Sequence, residues 1–302
     1  MTDDESIHAS RWFTMSFPGP GDSPPPSASV HVEFGARSRR SPLRTANGDH
    51  YLIVRLGRDQ ETLMTSLPQG QTPSRFEEFA YGMVLADGIG LSGETASRLA
   101  ISTLMYMVVN FGKWNLRVDD TIAEEVMERA RRFYRGIDST LVQAGHYHSS
   151  RELPTTLTAV FFAGSELIFA HVGHSRAYLF RDNALMRLTQ DHTLEHERPA
   201  KLLKVDMSGS VRDLHHIPTE TLGGSGASAP RIDIERVGLL DGDVILLCTN
   251  GLTAVANDAR IANALRAQST PDGQCHALVD LATNSGGEDD ATALVAHYHI
   301  PA

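Results

Sequence analysis

Basic residues, cysteines and long apolar runs are all scarce in this chain, and each scarcity removes a class of function. Lys and Arg number 27 against 37 Asp and Glu, a net charge of −10. Contacts with a phosphate backbone need clustered cations, so nucleic-acid binding is not expected. An acidic balance suits a protein that binds divalent cations, although it equally describes a solvated surface. Only Cys248 and Cys275 are present, with no CxxC pair. Two cysteines cannot build a disulfide framework, and a reducing cytoplasm fits them best. Cys248 closes the apolar run Val-Ile-Leu-Leu-Cys and reads as core. No stretch approaches about 18 consecutive apolar residues, so no membrane span is expected. Met1 to Phe17 carries Asp3, Asp4 and Glu5 and lacks the apolar centre of a secretory signal.

What remains is an ordinary globular composition, 41% apolar and 21% charged, enough for a sizeable core. Residues 1–28, with Pro18, Pro20 and Pro24 to Pro26, read as a disordered Pro-rich tail. Residues 29–302 read as one domain. Ser29–Phe34 alternates like a half-buried strand, followed by a basic turn containing Arg37, Arg39, Arg40 and Arg44. Tyr51–Leu56 and Phe79–Ala86 read as further strands. Apolar spacing of three and four residues then predicts helices over 93–110 and 121–144. Residues 156–162, 166–172, 176–180 and 185–188 read as an antiparallel meander. Residues 190–235 are polar and rich in Gly and His, and read as a mobile excursion. A strand at 244–248, helices at 258–268 and 273–285, and a strand at 291–299 complete an α+β layered architecture.

Chemistry is concentrated at strand ends. Asp49 precedes one strand, Asp87-Gly88 ends another, Asn250-Gly251 follows a third, and Asp289-Asp290 precedes the last. Singly, each is a common turn dipeptide. Together, oxygen donors at four strand ends can meet at one sheet edge, as Mg²⁺ or Mn²⁺ would require.

The order of motifs says more. The chain carries Arg44-Thr-Ala-Asn-Gly-Asp49, Ala86-Asp-Gly-Ile-Gly90, Thr155-Thr-Leu-Thr158 and Val172-Gly-His-Ser-Arg176, then Leu188-Thr-Gln-Asp-His192 and Thr221-Leu-Gly-Gly224. Asp241-Gly-Asp-Val-Ile-Leu-Leu-Cys-Thr-Asn-Gly-Leu252 and Gly286-Gly-Glu-Asp-Asp-Ala-Thr292 follow. This series resembles the bacterial PPM (type 2C) metal-dependent protein serine/threonine phosphatases over about residues 30–299. The resemblance implies a β-sandwich of two antiparallel sheets flanked by helices. It also implies a two-metal Mn²⁺ or Mg²⁺ centre that activates water against phosphoserine or phosphothreonine on a protein, opposing a Ser/Thr kinase. Carried over by motif, Asp87 would bridge the metals, the Gly88 carbonyl and Asp289 would ligate, and Asp49 would hold a metal-bound water. Arg44 would grip the phosphate.

Asn250, His174 and Ala254 stand where that pattern has acidic residues, and Asp290 where it has asparagine. An amide oxygen at Asn250 can still ligate, with one negative charge fewer. Asp290 is not expected to replace it. These departures predict a weakened metal site or, alternatively, a pseudophosphatase that binds a phosphoprotein without hydrolysing it. His174 reads as a turn histidine beside Arg176, with metal ligation or acid catalysis as the alternative. His146, His148, His171, His192, His196, His215 and His216 read as scattered surface and loop histidines.

Overall fold

The computed structural model describes residues 30–68, 72, 74–113, 120–147, 152–194, 218–224 and 229–300. The expected tail at 1–28 and His148, His196, His215 and His216 lie outside them.

Ten strands form two five-stranded antiparallel sheets. The first contains β1 (His31–Arg39), β10 (Ala291–His299), β9 (Val244–Cys248), β6 (Arg176–Arg181) and β7 (Ala184–Arg187), in that order. The second contains β2 (Asp49–Glu61), β3 (Arg75–Asp87), β4 (Leu157–Ala163), β5 (Glu166–Val172) and β8 (Asp233–Gly238). Long helices α1 (Gly93–Phe111) and α2 (Asp120–Tyr147) cover the second sheet. A short α3 (Asn250–Thr253), then α4 (Asp258–Arg266) and α5 (Pro271–Asn284), cover the first.

Strand alternation produces these layers. In β10, Leu294, Ala296 and Tyr298 face the centre of the sandwich, while Ala291, Ala293 and Val295 face α4 and α5. In β3, Met83 and Leu85 join the central core, while Val84 and Ala86 pack under α1 and α2. The central core also takes Phe162, Phe169, Leu179, Ile245 and Leu247. Burial of each such side chain stabilises the fold by about 1.5–3 kcal/mol. Cys248 and Cys275 are free and buried in the layer beneath α4 and α5.

Several sequence expectations need correction. The strands at 156–188 are not one meander. β4 pairs with β5 in the second sheet, whereas β6 and β7 belong to the first. The chain changes sheets at Gly173, whose φ of +113° suits glycine. The expected basic turn at Arg37–Arg39 is strand, because β1 pairs with β10 across all nine residues to Arg39↔Ala291. Within 190–235, residues 218–224 are tied to the sheet by Thr155↔Leu222, and β8 pairs with β5 from Asp233 onward. His171 and His192 are not surface histidines; both are 0% exposed. His171 Nδ1 shares a hydrogen bond with Thr158 Oγ1 at 2.8 Å, and the two imidazole rings lie 5.0 Å apart. His192 Nε2 meets Asp233 Oδ2 at 2.9 Å. His192 stands among polar residues in the sequence and His171 inside an apolar strand, and only the packing shows that they form one interior network.

Candidate metal and phosphate site

β2 and β3 pair so that Asp49 lies opposite Asp87. Both side chains continue the faces of their strands that look into the sandwich, and both residues are only 5% exposed. β9 and β10 deliver the other sheet's contribution. Thr249 Oγ1 and Thr292 Oγ1 donate to Asp49 Oδ2 at 2.9 and 2.7 Å. The two sheets therefore meet through one carboxylate oxygen.

Asp87 is held by its backbone. Its N–H donates to Thr156 Oγ1 at 3.1 Å, and its carbonyl accepts from Thr156 N and Thr155 Oγ1. At Gly88 the chain runs against the start of α1: a Cβ there would fall 1.9 Å from the Gly93 carbonyl oxygen, so only glycine fits. The Gly88 N–H donates to the Gly48 carbonyl at 3.0 Å, tying the ends of β2 and β3 together.

The residues after β9 and before β10 complete the arrangement. Asn250 follows β9, and its Nδ2 lies 3.5 Å from His174 Nε2. His174 Nδ1 lies 3.9 Å from Asp87 Oδ2. His174 is 6% exposed and faces the carboxylates. His174 lies in the expected turn between β5 and β6, but its side chain faces Asp87 and Asn250 and does not pack on Arg176, which binds Asp191 in a forked pair. Asp290 accepts from Ser41 N–H and Gly48 N–H, both at 2.7 Å, one on each oxygen. It thus pins the loop between β1 and β2. Arg44, in that loop, meets Asp289 Oδ1 at 2.6 Å and Asp290 Oδ2 at 3.7 Å. Ala254, at the end of α3, is exposed.

The electrostatics of the edge follow from its burial. Burial pushes the Asp49 carboxyl up to about 7, against the pull of its two threonine hydroxyls. Burial, followed by the charges of Asp49 and Asp289, holds Asp87 well above the ordinary carboxylate range. Asp49 Oδ1, Asp87 Oδ2 and Asn250 Oδ1 are buried without hydrogen-bond partners among the described residues. Buried acceptors left in that state are costly, and a bound cation is one partner that would satisfy them. All three are oxygens, so the donor set fits a hard divalent ion.

Sequence reasoning assigned no role to Thr249, Thr292, Ser41 or Asp290's backbone partners. Thr292 stood inside a recognised motif, but the motif does not reveal which oxygen its hydroxyl reaches.

A two-sheet sandwich with buried carboxylates at one edge and an arginine beside them defines a metal-dependent phosphohydrolase. The family model described as protein phosphatase 2C matches residues 74–283, and the chain belongs to that family. The chain is 30% identical over 221 residues to protein phosphatase PhpP of Streptococcus pneumoniae, covering 71% of this chain and 85% of the relative. It is 28% identical over 223 residues to the serine/threonine phosphatase stp of Listeria welshimeri, covering 72% and 84%. Its fold matches the catalytic domain of the serine/threonine protein phosphatase PstP in complex with two manganese ions. That match has a TM-score of 0.66 at 25% identity, over 90% of this chain and 100% of the other. The fold class and the protein serine/threonine phosphatase class expected from the sequence both hold.

Proposed function

We propose that residues 29–302 act as one catalytic domain, outside which residues 1–28 form a tail, and that it hydrolyses phosphoserine or phosphothreonine on protein substrates of a Ser/Thr kinase. Asp49, Asp87, the Gly88 carbonyl, Asn250 and Asp289 are the residues that would hold two Mn²⁺ or Mg²⁺ ions. The observation that carries this reading is the set of unpartnered buried oxygens on Asp49, Asp87 and Asn250, delivered by both sheets to one edge. Bound ions would supply acidity to a water nucleophile and charge to neutralise the phosphoryl group.

The chain's own residues do the rest. Thr249 and Thr292 fix one Asp49 oxygen by donating to it, which leaves the other, Oδ1, as the atom that would ligate an ion. Asp290 uses both oxygens on backbone amides and so positions the Arg44 loop without ligating. Arg44 binds Asp289, and its guanidinium, beside the carboxylate edge, is the group that would grip a phosphate. Asn250 brings an oxygen without a charge, so the ions bind more weakly than they would to a carboxylate at that position. His174 shares the edge with Asp87 and Asn250 and adds no negative charge.

Those two residues favour a second reading, a phosphoprotein-binding module that does not turn over. Hydrolysis of a phosphothreonine peptide across a Mn²⁺ titration separates the two. Saturable turnover that vanishes in Asp87→Asn supports the enzyme. No turnover in the native chain, with turnover restored by Asn250→Asp, supports the binding module.

A further inference from the structure

The far end of β10 carries a different set of donors. His297 and His299 lie two residues apart and so share one face of the strand, the face that looks away from the central core. Across the ladder, His297 stands opposite Glu33 and His299 opposite His31. The four side chains thus form a square on the outer surface of β1 and β10. One donor atom each from Glu33, His297 and His299 lies within 4.8 Å of the others. His31 Nε2 adjoins the Glu33 carboxylate at 3.8 Å.

The tautomer of His297 is fixed by its neighbour. Gln274 sits in the first turn of α5, which starts at the Thr270 cap and Pro271. Its Nε2 donates to the carbonyls of Leu265 and Gln268, at 2.8 and 3.2 Å. The amide orientation is therefore set, and Gln274 Oε1 must be the atom 2.7 Å from His297 Nε2. An oxygen acceptor there requires His297 Nε2 to carry the proton. Nδ1 is then the lone-pair nitrogen. A buried side chain that fixes the proton on one imidazole nitrogen and frees the other is the arrangement that orients histidine ligands in metal sites.

We infer that Glu33, His297 and His299 form a second cation site, for a borderline transition metal of the zinc class, separate from the carboxylate edge. Two imidazoles and one carboxylate suit Zn²⁺, Ni²⁺ or Cu²⁺ and disfavour Mg²⁺. The site is distant from the carboxylate edge: His297 lies seven positions along the chain from Asp290, roughly 23 Å at the rise of an extended strand. A metal there would clamp β1 to β10, an edge strand to its neighbour among the described strands. Its effect would be on the stability of that pairing rather than on hydrolysis.

The test is a calorimetric Zn²⁺ titration of the full chain after chelator treatment, with Mg²⁺ in excess, alongside thermal melting and NMR of the histidine rings. One zinc per chain, a raised melting temperature and displaced His297 and His299 signals are expected. Glu33→Gln and His299→Ala should each weaken binding at least tenfold, and both residues are exposed enough to be replaced without disturbing the core. Asp87→Asn should leave this zinc binding in place. Absence of zinc binding in the native chain would overturn the inference, as would unchanged binding in both Glu33→Gln and His299→Ala. Loss of binding in Asp87→Asn would also overturn it, by placing the zinc at the carboxylate edge.

Discussion

Strand β10 has reactive groups at both ends, and the ends differ in kind. At its start, Asp289 and Asp290 lie beside Asp49, Asp87 and Asn250, which turn buried oxygens inward, with the His174 imidazole next to them. At its finish, His297 and His299 lie on a half-open surface with Glu33. At the buried end, burial first and neighbouring carboxylates second raise the proton affinity of Asp49 and Asp87, a strain that a bound dication would relieve. The open end has solvent on one side, and burial and His299 disfavour the charged form of His297 there. Donor chemistry and burial together assign a hard ion to one end and a borderline ion to the other.

The largest test of the contrast is at the buried end. Asp87→Asn removes a carboxylate opposite Asp49, and Mn²⁺-dependent phosphopeptide hydrolysis should fall by at least about a hundredfold, since even residues supporting a metal's ligands cost 10–100-fold. Circular dichroism should remain native. Retained hydrolysis would place the active ions elsewhere.

Asp290→Ala examines positioning. It strands the buried amides of Ser41 and Gly48, each costing about 1–3 kcal/mol. Urea unfolding should show a loss of about 3 kcal/mol. Half-saturation by Mn²⁺ should rise as the Arg44 loop loosens. An unchanged unfolding midpoint would show that these amides find other partners.

Asn250→Asp sharpens the contrast from the other side. Restoring a negative charge should lower the half-saturating Mn²⁺ concentration about tenfold. Calorimetry would show the change directly, whether or not turnover follows. No change in affinity would mean that Asn250 is not a ligand.

A separate test concerns a third environment, the interior histidine pair. Burial, then the neighbouring His192, holds His171 down to about 3. The unfolded chain takes up that proton below about 6.5. The stability this residue contributes is therefore complete above 6.5 and is lost as pH falls from there toward 3. His171→Gln should flatten the acid limb of a melting-temperature profile between those values. A limb of unaltered slope would place the acid sensitivity in other groups.

Much of the fold was legible because strand and helix periods differ. The helices at 93–111 and 120–147 were marked by three- and four-residue spacing, and β9 by five apolar residues in succession. β8 was not, because Asp233–Gly238 is a partly exposed edge strand of mixed polarity. The crossover at Gly173 was also hidden: a strand's residue pattern does not say which sheet it joins. At the site, Asp49, Asp87, Asn250 and Asp289 were visible as carboxylates and amides at strand ends.

The sequence by itself determined the family, the elements and the donor types at the strand ends, because these follow from local composition and motif order. Tertiary structure alone decided which atoms meet. Pairing across 38 residues set Asp49 opposite Asp87. Pairing between the first strand and the last set Glu33 opposite His297. Burial turned His174 toward the carboxylates and His171 into the core. Register and packing are long-range properties, fixed only when the whole sandwich closes.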